Sequence, residues 1–176
     1  MNNNINNISK KIIEMAKKDQ EIRMSKDIDF EKMEKIDAEN RKEIKSIVDE
    51  YGLVSISKFG KEASYFAWLL IQHLTTEELD FMEDYIKLME DNKKDIDIRN
   101  YAYLKDRILV YKNKPQIYGT QTISKDNILN FQPIENISNV DTYREEVGLN
   151  TLKEYADDMK EMLDMSVELP KNYSNN

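Results

Sequence analysis

Hydrophobic residues recur at intervals of three and four along most of the chain, and this spacing predicts amphipathic helices. A first helix is expected to begin near Ile5, on a stripe formed by Ile8, Ile12, Met15 and Ile22. A second predicted helix covers residues 29–51. Gly52 should end it, because glycine readily adopts the left-handed conformation that closes helices.

The segment 63–74 is apolar on nearly every face, which is typical of a central, enclosed helix. Thr75 and Glu78 then have the spacing of a capping box and predict the start of another helix. A further helix is expected over residues 97–106. The first half of the chain therefore predicts helix after helix, joined by short connections.

The pattern changes after Asp106. Residues 107–111 are rich in β-forming side chains, 112–115 read as a turn, and 116–123 alternate, so we predict a hairpin near 107–123. On such a returning strand Gln116, Tyr118 and Thr120 would share one face, and Gly119 would let another group approach the backbone. Residues 128–133 could add a third strand.

Helical spacing returns toward the C-terminus. Asp141 is a predicted N-cap and Gly148 a predicted stop, while Thr151 and Glu154 have the spacing of a second capping box. The expected fold is mainly α: a single-domain helical bundle over 1–170 with a small antiparallel hairpin of two or three strands. Residues 171–176 are expected to form a loose tail.

Composition narrows the classes of function. The 176 residues carry a net charge of −8 and contain no cysteine, which excludes disulfides and thiolate metal sites. Without a long basic run, nucleic acid is not an expected partner. The longest uncharged apolar stretch, 63–74, is shorter than the roughly 20 residues of a membrane span. We expect a cytoplasmic protein that does not enter membranes.

Polar residues interrupt several apolar stripes. Asp19 and Arg23 are four residues apart and can meet on one helix face, either as a solvated pair or at a site. Asn40 interrupts the second helix, where it could tie two helices together or point at a ligand. A buried amide needs partners in either case.

His73 is the one histidine of the chain. It is either a satisfied structural group or the residue best suited to acid–base chemistry near neutral pH. In the second interpretation His73 is the base and Asp106 orients it, and both are catalytic candidates. The ligand-binding candidates are Gln72, Arg107, Gln116, Tyr118, Thr120, Gln121, Asp19, Arg23, Asn40 and Arg144.

Three interpretations of these polar residues stay open: a structural network, a ligand site and an enzyme site. The sequence lacks phosphate-binding glycine loops, the HExxH metal motif and the GxSxG nucleophile motif. We therefore predict no metal site and identify no cofactor. The preferred function is a polar pocket for a small molecule or nucleotide-like ligand, with a hydrolase-type reaction conceivable. The alternative is a protein-interaction module, such as an acidic adaptor or immunity-type partner.

An ordered series of short motifs supports a family resemblance. These are Gln72-His73, then Tyr103-Leu104 with Asp106-Arg107, then Gln116 with Tyr118 to Gln121, and finally Asp141 with Arg144, Gly148 and Leu149. Their order resembles a bacterial family of unknown function over roughly residues 15–157. That resemblance implies a shared site and carries no established activity.

Overall fold

The computed structural model describes residues 2–25 and 27–174. They form two compact units, one up to Asn100 and one from Tyr101 onward, here called the N-terminal and the C-terminal unit. The fold is mainly α with a small sheet, as the sequence predicted.

The N-terminal unit is entirely helical in its described part. Helix α1 (Asn2–Arg23) packs against α2 (Phe30–Tyr51), α3 (Ile56–Phe59) and α4 (Lys61–Gln72). A 3-10 helix (Thr76–Glu78) leads into α5 (Leu79–Asp91), and a second 3-10 helix spans Lys93–Asp95. The fully buried core residues of this unit include Ile12, Ala16, Ile44, Ala67 and Ile71.

Helix ends in this unit follow their sequence signals. The Asp29 carboxylate accepts a hydrogen bond from the Lys32 N–H (3.0 Å) and caps α2. Gly52 has φ +73° and closes the same helix, as predicted. The predicted capping box of Thr75 and Glu78 is present, on the 3-10 helix that precedes α5.

The C-terminal unit combines helices with a three-stranded sheet. Helix α6 (Ile98–Tyr111) begins before the unit boundary, and α7 (Val140–Glu146) and α8 (Leu152–Leu163) follow later in the chain. A 3-10 helix (Ile137–Asn139) precedes α7. Strands β1 (Thr122–Lys125) and β2 (Ile128–Phe131) are antiparallel, with Thr122 opposite Phe131. Strand β3 (Ser166–Glu168) pairs with β2 in parallel.

The hairpin exists, but its predicted position was wrong. Residues 107–111 are the last turns of α6, because Leu104 and Ile108 continue a buried helical stripe that outweighs the local β preference. The turn lies at Asp126 and Asn127, both with positive φ, which suits a two-residue hairpin loop. The predicted strand at 128–133 is confirmed as β2.

Segment 116–121 is not a strand either. Only Gln116 forms a bridge, with Ile134, and Gly119 has φ +67°. The predicted alternation of side chains along 116–120 is therefore absent. The backbone instead turns around a buried carboxylate, described below.

The predicted N-cap role of Asp141 was also wrong. Helix α7 starts at Val140, and the Asp141 carboxylate accepts hydrogen bonds from the Leu152 N–H (2.7 Å) and the Tyr173 hydroxyl (2.7 Å). It joins the start of α8 to the C-terminal segment. The predicted capping box of Thr151 and Glu154 at the start of α8 is confirmed.

None of the helices formed by the described residues has both the length and the apolar character that crossing a membrane requires.

Candidate functional site

Asp106 organises the polar residues of the C-terminal unit. Helix α6 holds its carboxylate fully buried. One oxygen accepts from the N–H groups of Ile117 (2.8 Å) and Tyr118 (3.1 Å), and the other from Thr120 N–H (3.0 Å) and Oγ1 (3.0 Å). Burial raises the pKa of Asp106, although these hydrogen bonds oppose the rise. The carboxylate therefore acts as the centre around which segment 117–120 folds.

Gln116 closes the same segment on itself. Its Oε1 accepts from the Gln121 N–H (2.8 Å), and its Nε2 donates to the carbonyl oxygens of Gln121 (2.9 Å) and Gln132 (2.9 Å). The Gln121 amide donates to Thr120 Oγ1 (2.9 Å). These side-chain amide contacts replace backbone pairing where no strand ladder exists.

Arg144 holds the other side of the segment. The guanidinium is fully buried and donates to the carbonyl oxygens of Tyr118 (2.6 Å) and Asn150 (2.6 Å). Its charge lies 4.9 Å from the centre of the Tyr155 ring. Burial lowers the pKa of Arg144. Asp106 and Arg144 thus hold the same loop. Asp106 accepts from the N–H groups of the loop, and Arg144 donates to one of its carbonyl oxygens.

A second polar cluster lies in the N-terminal unit, around Asp19 of α1. Its side chain is 1% exposed. One oxygen accepts from Arg23 Nε (3.0 Å), and the other from Gln20 Nε2 (2.8 Å). That second oxygen is also 3.0 Å from His73 Nδ1, although the ring N–H is poorly aligned with it. At this distance, Asp19 and His73 form an ion pair when the imidazole is protonated.

Helix α2 supplies the rest of this cluster. The Arg23 guanidinium bridges from Asp19 to Asp37 (Nη2 to Oδ1, 2.6 Å). Asn40 and Arg41 follow Asp37 by three and four residues, so all three project from one face of α2. The residues enclose a cleft of about 30 Å³. We call this the His73 cleft; its walls are Asp19, Asp37, Asn40, Arg41, Leu70, His73, Leu74 and Thr75.

Comparison with known proteins places the chain in a family. A family model described as a family of unknown function, DUF6624, matches residues 6–168. The chain belongs to this family. Neither a protein of curated function nor a solved structure matches it.

The predicted site residues of this DUF6624 protein fall into two groups. Asp19, Arg23, Asn40 and His73 belong to the N-terminal cluster, beside which Gln72 is buried at the end of α4. The loop clamp of the C-terminal unit contains Asp106, Gln116, Tyr118, Thr120, Gln121 and Arg144. The Nη1 of Arg107, the remaining candidate, donates to the hydroxyl of Tyr111 in the last turn of the same helix (3.4 Å).

The carboxylate that faces His73 is Asp19, while both oxygens of Asp106 accept hydrogen bonds from the loop it organises. Two charged wall residues, Asp37 and Arg41, were not among the predicted site residues. Their spacing with Asn40 on α2 was a usable signal, since positions three and four apart share a helix face. Among the residues that the structure describes, no group of three or more metal-ligating side chains is arranged to hold a cation.

Two buried donors distinguish the His73 cleft from the loop clamp. Asn40 is 8% exposed, and its Nδ2 donates to no acceptor in the described part of the chain. Arg41 Nε is buried 3.3 Å from Glu78 Oε1, but its N–H is not aligned with that oxygen. A buried donor without an acceptor costs about 1–3 kcal/mol. The cleft therefore retains hydrogen-bonding capacity, whereas the loop clamp satisfies its own.

The charge on Asp19 gives the cluster a pH dependence. Burial, the largest influence, would raise the pKa of Asp19, but the close approach and charge of His73, the hydrogen bond from Gln20 and the charge of Arg23 together outweigh it. The pKa falls from 3.8 to about 2. A folded-state pKa below the unfolded value stabilises the protein above that unfolded value, and the stability is lost as the pH falls from about 4 to about 2.

We expect Asp19→Asn to remove about 2 kcal/mol of this acid-sensitive stability. Urea unfolding at pH 6, 4 and 3 should show the wild type losing its advantage over the variant as the pH falls. Asp84→Asn is the control, since Asp84 is an exposed acid paired with Lys87 on α5. A constant difference between wild type and Asp19→Asn across this range would contradict the assignment.

Proposed function

We propose that this DUF6624 protein binds a small polar molecule at the His73 cleft and that His73, oriented by Asp19, transfers protons in a hydrolase-type reaction there. The observation that carries the proposal is the buried, ionised Asp19 carboxylate 3.0 Å from His73 Nδ1. Burial of Nδ1 against a carboxylate favours a hydrogen on that nitrogen. The other ring nitrogen, Nε2, then carries the lone pair and acts as the base.

The exposure of His73 supports this arrangement. Its Nδ1 is buried, yet 23% of its side chain is exposed. The accessible part of the residue therefore lies away from Asp19. Since the side chain also lines the cleft, a group bound there meets the ring. This combination of a fixed inner nitrogen and an accessible remainder is what a general base requires.

Water is the nucleophile in the proposed reaction. Thr75, the one hydroxyl side chain among the residues that line the cleft, donates to Glu78 Oε2 (3.0 Å), and the sequence contains no cysteine. His73 Nε2 removes a proton from water as its oxygen bonds to a carbonyl or phosphoryl centre. The bond to the leaving group then breaks, and the imidazolium returns the proton to the leaving oxygen. Asp19 stabilises the imidazolium throughout.

The direct test is turnover of p-nitrophenyl acetate and p-nitrophenyl phosphate by the wild type and His73→Asn. General acid–base catalysis contributes about 10²–10⁴-fold, so the variant should lose at least 100-fold in kcat/KM while keeping its thermal midpoint. Lys42→Ala is the control, because Lys42 is exposed on the same helix and does not line the His73 cleft. Equal rates in wild type and His73→Asn, or no turnover of either ester, would contradict the proposal.

A protein-interaction module is the second candidate, favoured by apolar side chains at the α1–α2 connection. Met24 is 81% exposed and Phe30 is 70% exposed. If association with a second copy is the function, light scattering should detect a dimer that Met24→Ser with Phe30→Ser converts to a monomer. A monomeric wild type would count against this form of the alternative.

A further inference from the structure

The two unmet donors of the His73 cleft indicate what kind of group the cleft receives. Asn40 Nδ2 and Arg41 Nε are both N–H donors, both are buried, and neither is aligned on an acceptor within the described residues. They project from neighbouring positions of α2, and both residues line the cleft. A group entering here gains most if it brings hydrogen-bond acceptors.

Most carboxylate oxygens around these donors already contact other groups. Asp37 Oδ1 accepts from Arg23, and both oxygens of Asp19 accept from Arg23 and Gln20. Glu78 Oε2 accepts from the Thr75 N–H and hydroxyl. Glu78 Oε1 and Glu77 Oε2 form ion pairs with Arg41, at 3.3 Å from Nε and 3.7 Å from Nη1. None of these carboxylates accepts from Asn40 Nδ2, and the Arg41 Nε–H is not aligned on one, so a ligand that brings an oxygen to these two donors is favoured over an amine.

The charge of Arg41 and the small volume of the cleft further restrict the class of ligand. Arg41 is positively charged, and hydrogen bonds from a guanidinium to a charged oxygen are stronger than those to a neutral one. The volume of about 30 Å³ exceeds the roughly 10–15 Å³ that one water-sized group requires, and it is far below the roughly 300–1,000 Å³ of a pocket that encloses a whole small molecule. It admits the oxygen of a single acidic group, so the body of the ligand would lie outside the cleft.

We infer that the His73 cleft binds the oxyanion of a carboxylate or phosphate group, with Asn40 Nδ2 and Arg41 Nε as its hydrogen-bond donors. This inference deepens the proposed function and rests on it, because it names the class of molecule brought to His73. Asn40 and Arg41 are binding residues in this account, and His73 is the catalytic one.

The test uses sodium phosphate and sodium acetate as probes, titrated into the full chain at constant ionic strength. The chain has one histidine, so its imidazole C–H signals in proton NMR report on the cleft without assignment. We expect at least one anion to shift these signals saturably. Its Kd should be at least tenfold weaker in Asn40→Leu, which has a similar volume and no donor, and within twofold of wild type in Lys42→Ala.

Asn40→Asp provides a second variant of similar shape that repels an anion, in case the leucine variant fails to fold. Binding of phosphate alone would assign a phosphate ligand, and binding of acetate alone a carboxylate ligand. The inference would be overturned if neither anion shifted the histidine signals, or if both Asn40 variants bound the anion as tightly as the wild type. Anion binding without ester turnover would leave this site standing and remove only the proposed hydrolysis. Turnover without anion binding would remove only the inference.

Discussion

Asp106→Ala should lower the free energy of unfolding by about 3–5 kcal/mol, the range expected when one member of a buried charged network is removed. The substitution leaves the N–H groups of Ile117, Tyr118 and Thr120 without their acceptor. It also leaves Arg144 as a buried positive charge that has lost the negative charge on the other side of the loop. Both effects act on the same segment and in the same direction.

Urea unfolding followed by circular dichroism measures this change. Asp157→Ala is the matched control, because Asp157 is an exposed acid of α8 paired with Lys153 and should contribute no more than about 0.5 kcal/mol. A loss below about 1 kcal/mol for Asp106→Ala would show that the loop does not depend on this carboxylate. The Asp106 variant should leave the Asp19–His73 contact intact, since that contact is made within the N-terminal unit.

Gly119→Ala should destabilise the protein by about 2–4 kcal/mol, of which about 1–2 kcal/mol is strain at positive φ and the rest is overpacking. The φ of Gly119 is +67°, and a Cβ built there would lie 2.7 Å from Leu152 Cδ1 and 2.9 Å from Ile134 Cδ1. The groups that lie close to Gly119 are thus the apolar side chains of Leu152 and Ile134 in the same unit.

Gly148→Ala separates the two causes. Gly148 has nearly the same φ, +69°, and nothing within 4 Å of a built Cβ, so its alanine variant should lose only the strain portion. Thermal and urea unfolding of the two variants should differ by at least about 1 kcal/mol, with Gly119→Ala the less stable. Equal losses of stability in the two variants would mean that Leu152 and Ile134 can move away from a Cβ at position 119 without an energetic penalty.

The elements that the sequence predicted well are those specified by local chemistry. The isoleucine stripe of α1, the glycine after α2 and the capping boxes at Thr75 and Thr151 each depend on residues within a few positions of one another. The prediction of a strand at 116–121 was wrong for the opposite reason. Its conformation is imposed by Asp106, ten or more residues earlier, and β propensity carries no information about that carboxylate.

The sequence and the structure pair the candidate site residues differently. The sequence suggested that His73, Asp106 and the glutamines from Gln116 onward would share one cavity, because polar residues interrupt otherwise apolar patterns. In the structure, the carboxylate beside His73 is that of Asp19, 54 positions earlier. Asp106 instead accepts hydrogen bonds from the backbone of the loop at 117–120. With 34 acidic residues in the chain, no spacing rule selects the partner of a single histidine. That choice follows from how α1 packs on α4.

We propose that Asp19, whose carboxylate lies 3.0 Å from His73 Nδ1, keeps the imidazole hydrogen on Nδ1 and leaves Nε2 free to accept a proton. Long-range proton–¹⁵N correlation NMR of the uniformly labelled protein reads this directly, since His73 is the one histidine. At pH 8 we expect the imidazole hydrogen on Nδ1, and a loss of that preference in Asp19→Asn. A hydrogen on Nε2 in the wild type, or a spectrum that Asp19→Asn leaves unchanged, would contradict the account.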